Sequence, residues 1–307
     1  MATFRGLAPE LIEPWVTRIF FKEFTMQRRF STELFKQKTA TGAFVDDFQV
    51  AGLGRFVLKP EGVPVAFSDP VQGARRRTVM LTYALGFRVT MEMREDEEHG
   101  IISQMPADLA ESARDSMERL AWGLYNDGWA AATYTGVPEG DGTRRGLFAT
   151  GHVPLRNTAT TQSNRLNPGV ALSTGGLQSA LTIFETTQSE EERFVDNVAS
   201  TLVVHPENRW AADTLLESQS DVDQTNPGVI NTVSRNRIGV KVLRVPYITD
   251  TDAWSLFGNK HTVTDYTRKS LTRTTAMDSQ SFDMMFIAHW RKNVMIGHWR
   301  GTVGSAP

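Results

Sequence analysis

Four carboxylates and an imidazole stand next to one another at Glu95, Asp96, Glu97, Glu98 and His99. Carboxylate oxygens are the ligands that Ca²⁺ and Mg²⁺ prefer in proteins. In an extended segment, however, adjacent side chains point to opposite faces, so only about half of these groups can converge on one ion. The run therefore favours a charge patch that is solvated or faces another subunit, with a metal site as the alternative.

The other residues with catalytic potential lack the spacing of a known site. The chain has 6 histidines, none in an H-E-x-x-H pattern, and it contains no G-x-S-x-G elbow and no glycine-rich phosphate loop. A hydrolase that uses His152 with a distant serine and carboxylate, or the acidic run, stays as a second hypothesis. Because the chain has no cysteine, disulfides, thiolate metal sites and thiol nucleophiles are excluded. We therefore expect no catalytic, cofactor or metal residues.

The sharpest basic feature is the run Arg75-Arg76-Arg77. We predict an inter-subunit site in which these arginines meet acidic residues of an adjacent copy. Replacing all three with alanine should then weaken assembly far more than folding. The alternatives are a solvated strand edge, where arginines discourage stray strand pairing, and a phosphate contact. The predicted inter-subunit residues are Arg75, Arg76, Arg77, Glu95, Glu97 and Glu98.

Composition limits the class of protein. With 33 basic and 35 acidic residues, the net charge is −2, which argues against a protein whose main task is to grip DNA. Hydrophobic residues make up 40% of the chain, enough for a substantial core in one large domain or two. No stretch approaches ~18 apolar residues, and the N-terminal residues lack the pattern of a secretory signal. We expect a protein that is made and assembled in the cytoplasm, without a membrane partner.

Several elements must position the charged runs. Apolar residues on both sides of Pro60-Glu61-Gly62 predict a hairpin over 52–67. Alternation of apolar and polar side chains predicts one strand over 79–93, on the order of 50 Å long, that reaches towards a neighbour. The aromatic and basic segment 11–35 predicts either an arm on a neighbouring copy or an amphipathic helix on the chain's own core.

The remaining pattern predicts an α+β protein. Pro106 is expected to open a long helix over 106–132, since proline fits a first helical turn. A loop over 136–168 should follow, and then a mixed unit of strands and helices. Further predicted elements are a helix over 175–187, a strand over 201–204, a helix begun by Pro206, a strand over 240–248, and a closing hairpin of 282–290 and 294–299 around Arg291-Lys292-Asn293.

Three local motifs, in this order, resemble the HK97-like major capsid proteins of tailed double-stranded DNA bacteriophages. Gly146-Leu147-Phe148 with Gly151-His152 is similar to the loop after the spine helix of those proteins. Leu202-Val203-Val204-His205-Pro206 is similar to a strand and proline-started helix of their axial domain. The most specific stretch runs from Val245-Pro246-Tyr247-Ile248-Thr249-Asp250 to Ala253-Trp254-Ser255-Leu256-Phe257.

The resemblance, over roughly 40–305, implies a structural protein and not an enzyme. It implies an N-terminal arm (1–49), an extended loop (50–84), a peripheral domain (85–149 and 271–307) with the spine helix 106–132, and an axial domain (150–270). Hexamers and pentamers would tile an icosahedral shell, with DNA held by weak, non-specific contacts only. Because the spine helix is expected to start near residue 106, there is no room before it for the long N-terminal assembly domain of the best-known family member. A separate scaffolding protein is therefore expected, besides a portal and a possible decoration protein. A minor head or decoration protein is a further alternative.

Overall fold

The structure, a computed structural model, describes residues 8–26, 28–90, 92–93, 101–130, 138–220, 230–281 and 283–307. Helices and strands both contribute strongly, which confirms the α+β class. The helices are α1 (Ala8–Met26), α2 (Phe30–Leu34), α3 (Ile101–Asp127), α4 (Thr174–Thr186), α5 (Arg209–Glu217) and α6 (Arg235–Ile238). The strands are β1 (Lys36–Thr39), β2 (Phe44–Ala51), β3 (Val71–Val79), β4 (Leu81–Val89), β5 (Ala199–Val204), β6 (Lys241–Arg244), β7 (Trp254–Gly258), β8 (Val263–Met277), β9 (Met284–Ile296) and β10 (Thr302–Ser305).

The chain divides into two compact units whose bounds differ from those of the predicted domains, which stay a prediction. The first unit comprises 1–45, 79–121 and 265–294, and the second comprises 46–78, 122–264 and 295–307.

The first unit is built on a four-stranded sheet in the order β1-β8-β9-β4. Phe20 of α1 is fully buried against Leu109 and Ala110 of α3 and Ala288 of β9. Val16, one turn earlier, is buried with the sheet residue Phe286. Of the two alternatives for segment 11–35, the structure therefore shows the helix packed on the chain's own core.

The long strand predicted over 79–93 is wrong. The chain forms two strands, β3 and β4, separated at Met80, and Glu92 and Met93 are helical. Met80 is buried, its N–H donates to the Ala43 carbonyl at 2.9 Å, and its own carbonyl accepts from Arg291 Nε at 3.1 Å. These bonds take Met80 out of the strand ladder, while β4 pairs antiparallel with β9 as an edge strand. An alternating pattern cannot show such a break, because both strands keep the same period.

Helix α3 starts earlier and ends earlier than the predicted helix 106–132. Pro106 lies inside it and not in its first turn. A proline in a helix removes one backbone hydrogen bond, and burial of Leu109, Ala113 and Met117 along one stripe offsets that loss. The helix ends at Asp127, and a Cβ on the next residue, Gly128, would lie 2.9 Å from both Leu147 Cβ and the Tyr125 carbonyl.

The i,i+4 spacing along α3 places Arg114 one turn before Glu118 and Asp115 one turn before Arg119. Asp115 and Arg119 do pair, at 2.6 Å. Glu118 is instead fully buried and accepts hydrogen bonds from the Ser31 hydroxyl at 2.6 Å and from the Ser31 N–H at 3.0 Å. A helical wheel places Glu118 beside Arg114, but it does not show what the buried face will meet.

The second unit holds a sheet in the order β10-β7-β5-β6, in which β5 and β6 run parallel and β5 and β7 antiparallel. Leu202, Trp254 and Leu256 form its core with α4 and α5. The predicted helix 175–187 is confirmed as α4, with the Ser173 hydroxyl accepting from the Gly176 N–H at 3.1 Å. Pro206 opens a short 3₁₀ turn that continues as α5, so the predicted strand and proline-started helix are confirmed.

The predicted closing hairpin is wrong, because β9 runs without a turn through Arg291-Lys292-Asn293. The real hairpin joins β8 to β9, with its turn near Asp278 and Asp283. Lys292, which resembles a turn residue in the sequence, is buried and lies 2.5 Å from the buried Asp265 of β8.

Candidate assembly surface

Two of the three predicted arginines bind a carboxylate within the second unit. Strands β2 and β3 form a two-stranded sheet. Arg77 of β3 donates two hydrogen bonds to Asp46 of β2, at 2.8 and 2.9 Å, and Arg75 approaches the same carboxylate at 3.8 Å. The Arg77 guanidinium, with a smaller contribution from Arg75, lowers the pKa of Asp46. The arginines therefore fasten β3 to β2, while about half of the Arg75 side chain stays exposed.

Arg76 has a different environment. It is buried, and its guanidinium donates to the Ile296 carbonyl. Because side chains alternate along a strand, Arg76 points away from its two neighbours, and the three arginines do not form one patch. The triple alanine variant would therefore damage folding as well as any interface, and Arg75 and Arg77 must be tested separately. The role of all three at an interface stays a prediction, and Glu95, Glu97 and Glu98 lie outside the described residues.

The loop 52–70 joins β2 to β3 and carries many exposed apolar side chains. The turn predicted at its tip is confirmed: the Val63 N–H donates to the Pro60 carbonyl at 3.3 Å, and Gly62 has φ +77°. The flanking residues are irregular, so the hairpin predicted over 52–67 is wrong, and the paired strands lie farther from the tip. The exposed apolar side chains of this loop, called the apolar loop below, are Leu53, Phe56, Val57, Leu58, Val63, Val65 and Phe67.

Exposure in the apolar loop is nearly complete at its aromatic residues. Phe67 and Leu58 each retain 92% of their accessible surface, and Phe56 is wholly exposed. Single exposed apolar residues are ordinary, but a contiguous set this large is typical of a surface that binds a partner. Lys59, also exposed, lies at the same tip.

His152, the candidate base of a hydrolase, is a structural residue of the second unit. Its ring is buried and stacks on Trp299, with centroids 4.3 Å apart. Its Nδ1 bonds the Glu139 carboxylate, and its Nε2 lies 3.0 Å from the Asn164 side-chain oxygen. Both ring nitrogens of His152 therefore have side-chain partners, and neither partner is a serine or threonine hydroxyl.

The candidate metal site, the acidic run from Glu95 to His99, lies outside the described residues. Within the described ranges, no group of three or more His, Asp or Glu side chains is arranged to hold a metal ion. Across the same ranges, no helix combines the length and the apolar character needed to span a membrane.

The residues that hold the base of the apolar loop carry no sequence motif. Arg156 donates to the carbonyls of Gly52 and Asp69, and Arg55 donates to the carbonyl of Glu192. Gln49, at the end of β2, donates to Glu190 at 2.6 Å. These partners are distant in sequence, and an arginine that binds backbone carbonyls needs no particular residue type opposite it, so no motif marks them.

Several solved structures share a similar fold over nearly the whole chain. The virus-like particle from Pyrococcus furiosus is 11% identical, with a TM-score of 0.53 over 94% of this chain and 97% of that one. The capsid of a native GTA particle is 10% identical, with a TM-score of 0.59 over 92% of both chains. The capsid of Myoviridae Phage XM1 is 12% identical, with a TM-score of 0.54 over 89% of this chain and 88% of that one. At this identity the likeness shows the fold alone, which is the HK97-like capsid fold.

Among curated proteins, no sequence matches the chain. A family model described as "Phage capsid protein" matches residues 76–304. The match covers well over half of the chain and includes β4 to β9 and the long helix α3 in full. The protein therefore belongs to the phage capsid protein family.

Proposed function

We propose that this major capsid protein assembles with copies of itself into hexamers and pentamers, which form an icosahedral shell around double-stranded viral DNA. The observation that carries the proposal is the apolar loop, whose side chains are exposed in the single chain, those of Phe56, Leu58 and Phe67 almost fully. Transfer of one such side chain out of water contributes roughly 1.5–3 kcal/mol. The loop therefore favours a state in which another surface covers it.

A second copy of the chain is the partner that fits the family. In a ring of identical subunits, the loop of each copy contacts a different surface on the next one, and the contact repeats until the ring closes. The resemblance further implies a separate scaffolding protein, a portal and possibly a decoration protein, with assembly in the host cytoplasm and the finished protein in the virion. Arg75 and Arg77 remain candidates for contact with the acidic run of a neighbour.

The test is the triple variant Phe56→Ser, Leu58→Ser, Phe67→Ser. Because these side chains are exposed, the free energy of unfolding should stay within about 0.5 kcal/mol of wild type. Rings and shells, measured by sedimentation and negative-stain electron microscopy, should be lost. The matched control is Lys59→Ser at the same loop tip, which should assemble like wild type. Wild-type shell yield from the triple variant would refute the role of the loop, and a wild-type protein that stays monomeric both with and without its scaffolding protein would refute the function itself.

A further inference from the structure

We propose that Arg156 is a positioning residue that fixes both ends of the apolar loop and thereby presents the loop to a neighbouring copy. The inference rests on the proposed function, since it assigns a purpose to the loop's attachment. Because Arg156 lies outside the loop, its effect can be measured in the unassembled subunit as well as in the shell.

Arg156 binds the backbone at both ends of the apolar loop. One terminal nitrogen, Nη2, donates to the Gly52 carbonyl at 3.0 Å and also to the Asp69 carbonyl. These carbonyls stand at the two ends of the loop, just after β2 and just before β3. Since Nη2 carries two hydrogens, it can make both bonds at once. One side chain therefore holds the two ends of the loop beside each other.

Arg55 attaches the loop at a second point, and its partner Glu192 has a strained backbone. Arg55 donates to the carbonyl of Glu192, whose φ of +60° lies in the left-handed region that favours glycine. The Glu192 carboxylate accepts from Asn157 Nδ2 at 2.5 Å, and the Glu192 N–H donates to the Ser189 carbonyl at 3.1 Å. Such a backbone persists only where its surroundings hold it in place.

Close packing between Leu155 and the backbone of β3 also holds the base of the apolar loop. A Cβ on Gly73 of β3 would lie 2.8 Å from Leu155 Cδ1. The Leu155 N–H in turn donates to Glu190 at 2.7 Å, so the residue before Arg156 is fixed as well. The segment that carries Arg156 therefore contacts β3, the strand that follows the loop. It also contacts Glu190, which lies two residues before Glu192.

The result is a loop with a fixed base and an exposed apolar tip. A segment whose ends are already placed loses less conformational freedom when it binds, and the association is correspondingly tighter. Loss of Arg156 should free the ends of the loop without uncovering the core of the second unit. Subunits would then fold normally but assemble poorly.

The experiment uses the full-length chain with Arg156→Ala, Arg156→Lys and, as matched control, Arg144→Ala, an exposed arginine of the same unit. The first readout is the initial rate of chymotrypsin cleavage after Phe56 and Phe67 in unassembled subunits. Arg156→Ala should raise this rate roughly five- to tenfold, because one or two hydrogen bonds no longer oppose local opening. Arg156→Lys should fall between it and wild type, since a lysine lacks the planar guanidinium group. Arg144→Ala should leave the rate unchanged.

The second readout is shell yield, which should fall at least tenfold in Arg156→Ala at an unchanged midpoint of thermal unfolding. An unchanged cleavage rate, or a raised rate with wild-type shell yield, would overturn the assignment of Arg156. If Arg156→Ala does not fold, Asn157→Ala, which removes one bond that holds Glu192, gives the same two readouts. Failure of Arg156→Ala to affect assembly, while the loop triple variant abolishes it, would refute only the inference about Arg156.

Discussion

Asp46 shows how single residues connect the two strands that carry the apolar loop. Its carboxylate lies between Arg77, which makes two hydrogen bonds to it, and the more distant Arg75. The pair Asp46–Arg77 is exposed enough to be screened by salt, so its contribution to stability is modest. Its pH dependence, however, is specific.

Arg77→Ala should remove a pH-dependent part of the stability. Because Arg77 lowers the pKa of Asp46 below its ordinary value of 3.8, the pair stabilises the folded state above that pH and ceases to do so as pH falls through the folded-state pKa. The gap in unfolding free energy between wild type and Arg77→Ala should therefore be largest near neutral pH and shrink below about pH 4. Urea denaturation over this range measures it. In an Asp46→Asn background, Arg77→Ala should have an effect that does not vary over the acidic range; a constant gap in the native background would contradict the prediction.

The sheet of the first unit depends on a buried ion pair between two adjacent strands. Lys292 of β9 and Asp265 of β8 are both almost inaccessible to water. Burial lowers the pKa of Lys292, and the charge of Asp265 opposes that effect. The second oxygen of Asp265, Oδ1, makes no hydrogen bond to any of the described residues. Loss of one charge should therefore destabilise the folded protein, whereas replacement of both residues with apolar ones should not.

Removal of one member should be far worse than removal of both. Lys292→Met leaves a buried carboxylate without its partner and should lower the unfolding free energy by about 3–5 kcal/mol. The double variant Lys292→Met, Asp265→Leu should be close to wild type or more stable, since an apolar pair carries no desolvation penalty. Lys38→Met, on an exposed strand, should change stability by less than about 0.5 kcal/mol. Chemical denaturation measures all four proteins, and a double variant as unstable as Lys292→Met would show that the pair is needed as such.

At the scale of the whole molecule, each unit has its own apolar core, and a large apolar segment is left exposed. The near balance of 33 basic and 35 acidic residues fits a subunit whose main contacts are with other proteins and whose contacts with DNA are weak. These features agree with a shell subunit.

The number of copies in a particle separates a main shell subunit from a minor head or decoration protein. In purified particles, the band of this 34.3 kDa chain on a stained gel should contain more protein than any other. Densitometry of the gel, with mass spectrometry to identify the band, is the measurement. A band much weaker than that of another virion protein would assign the chain to a minor component.

The prediction of structure from sequence succeeded where the signal is local. The helix over 175–187, the turn at Pro60 to Gly62 and the strand before Pro206 each depend on residues within a few positions. It failed at Met80 and Lys292, whose environments are set by partners far along the chain. Met80 reads as one more apolar residue of a strand, and Lys292 as a turn residue, until Ala43 and Asp265 are placed beside them.

By itself, the sequence determined the α+β class, the absence of thiol chemistry, the apolar character of the loop and, through three motifs, the resemblance to the capsid family. Only the tertiary structure decided that Arg76 is buried while Arg75 and Arg77 bind Asp46, that His152 is fully engaged, and that Arg156 holds the loop. The physical reason is that residue type and period depend on near neighbours. Whether a charged side chain is paired, buried or free depends on which distant backbone or side-chain groups folding brings to it.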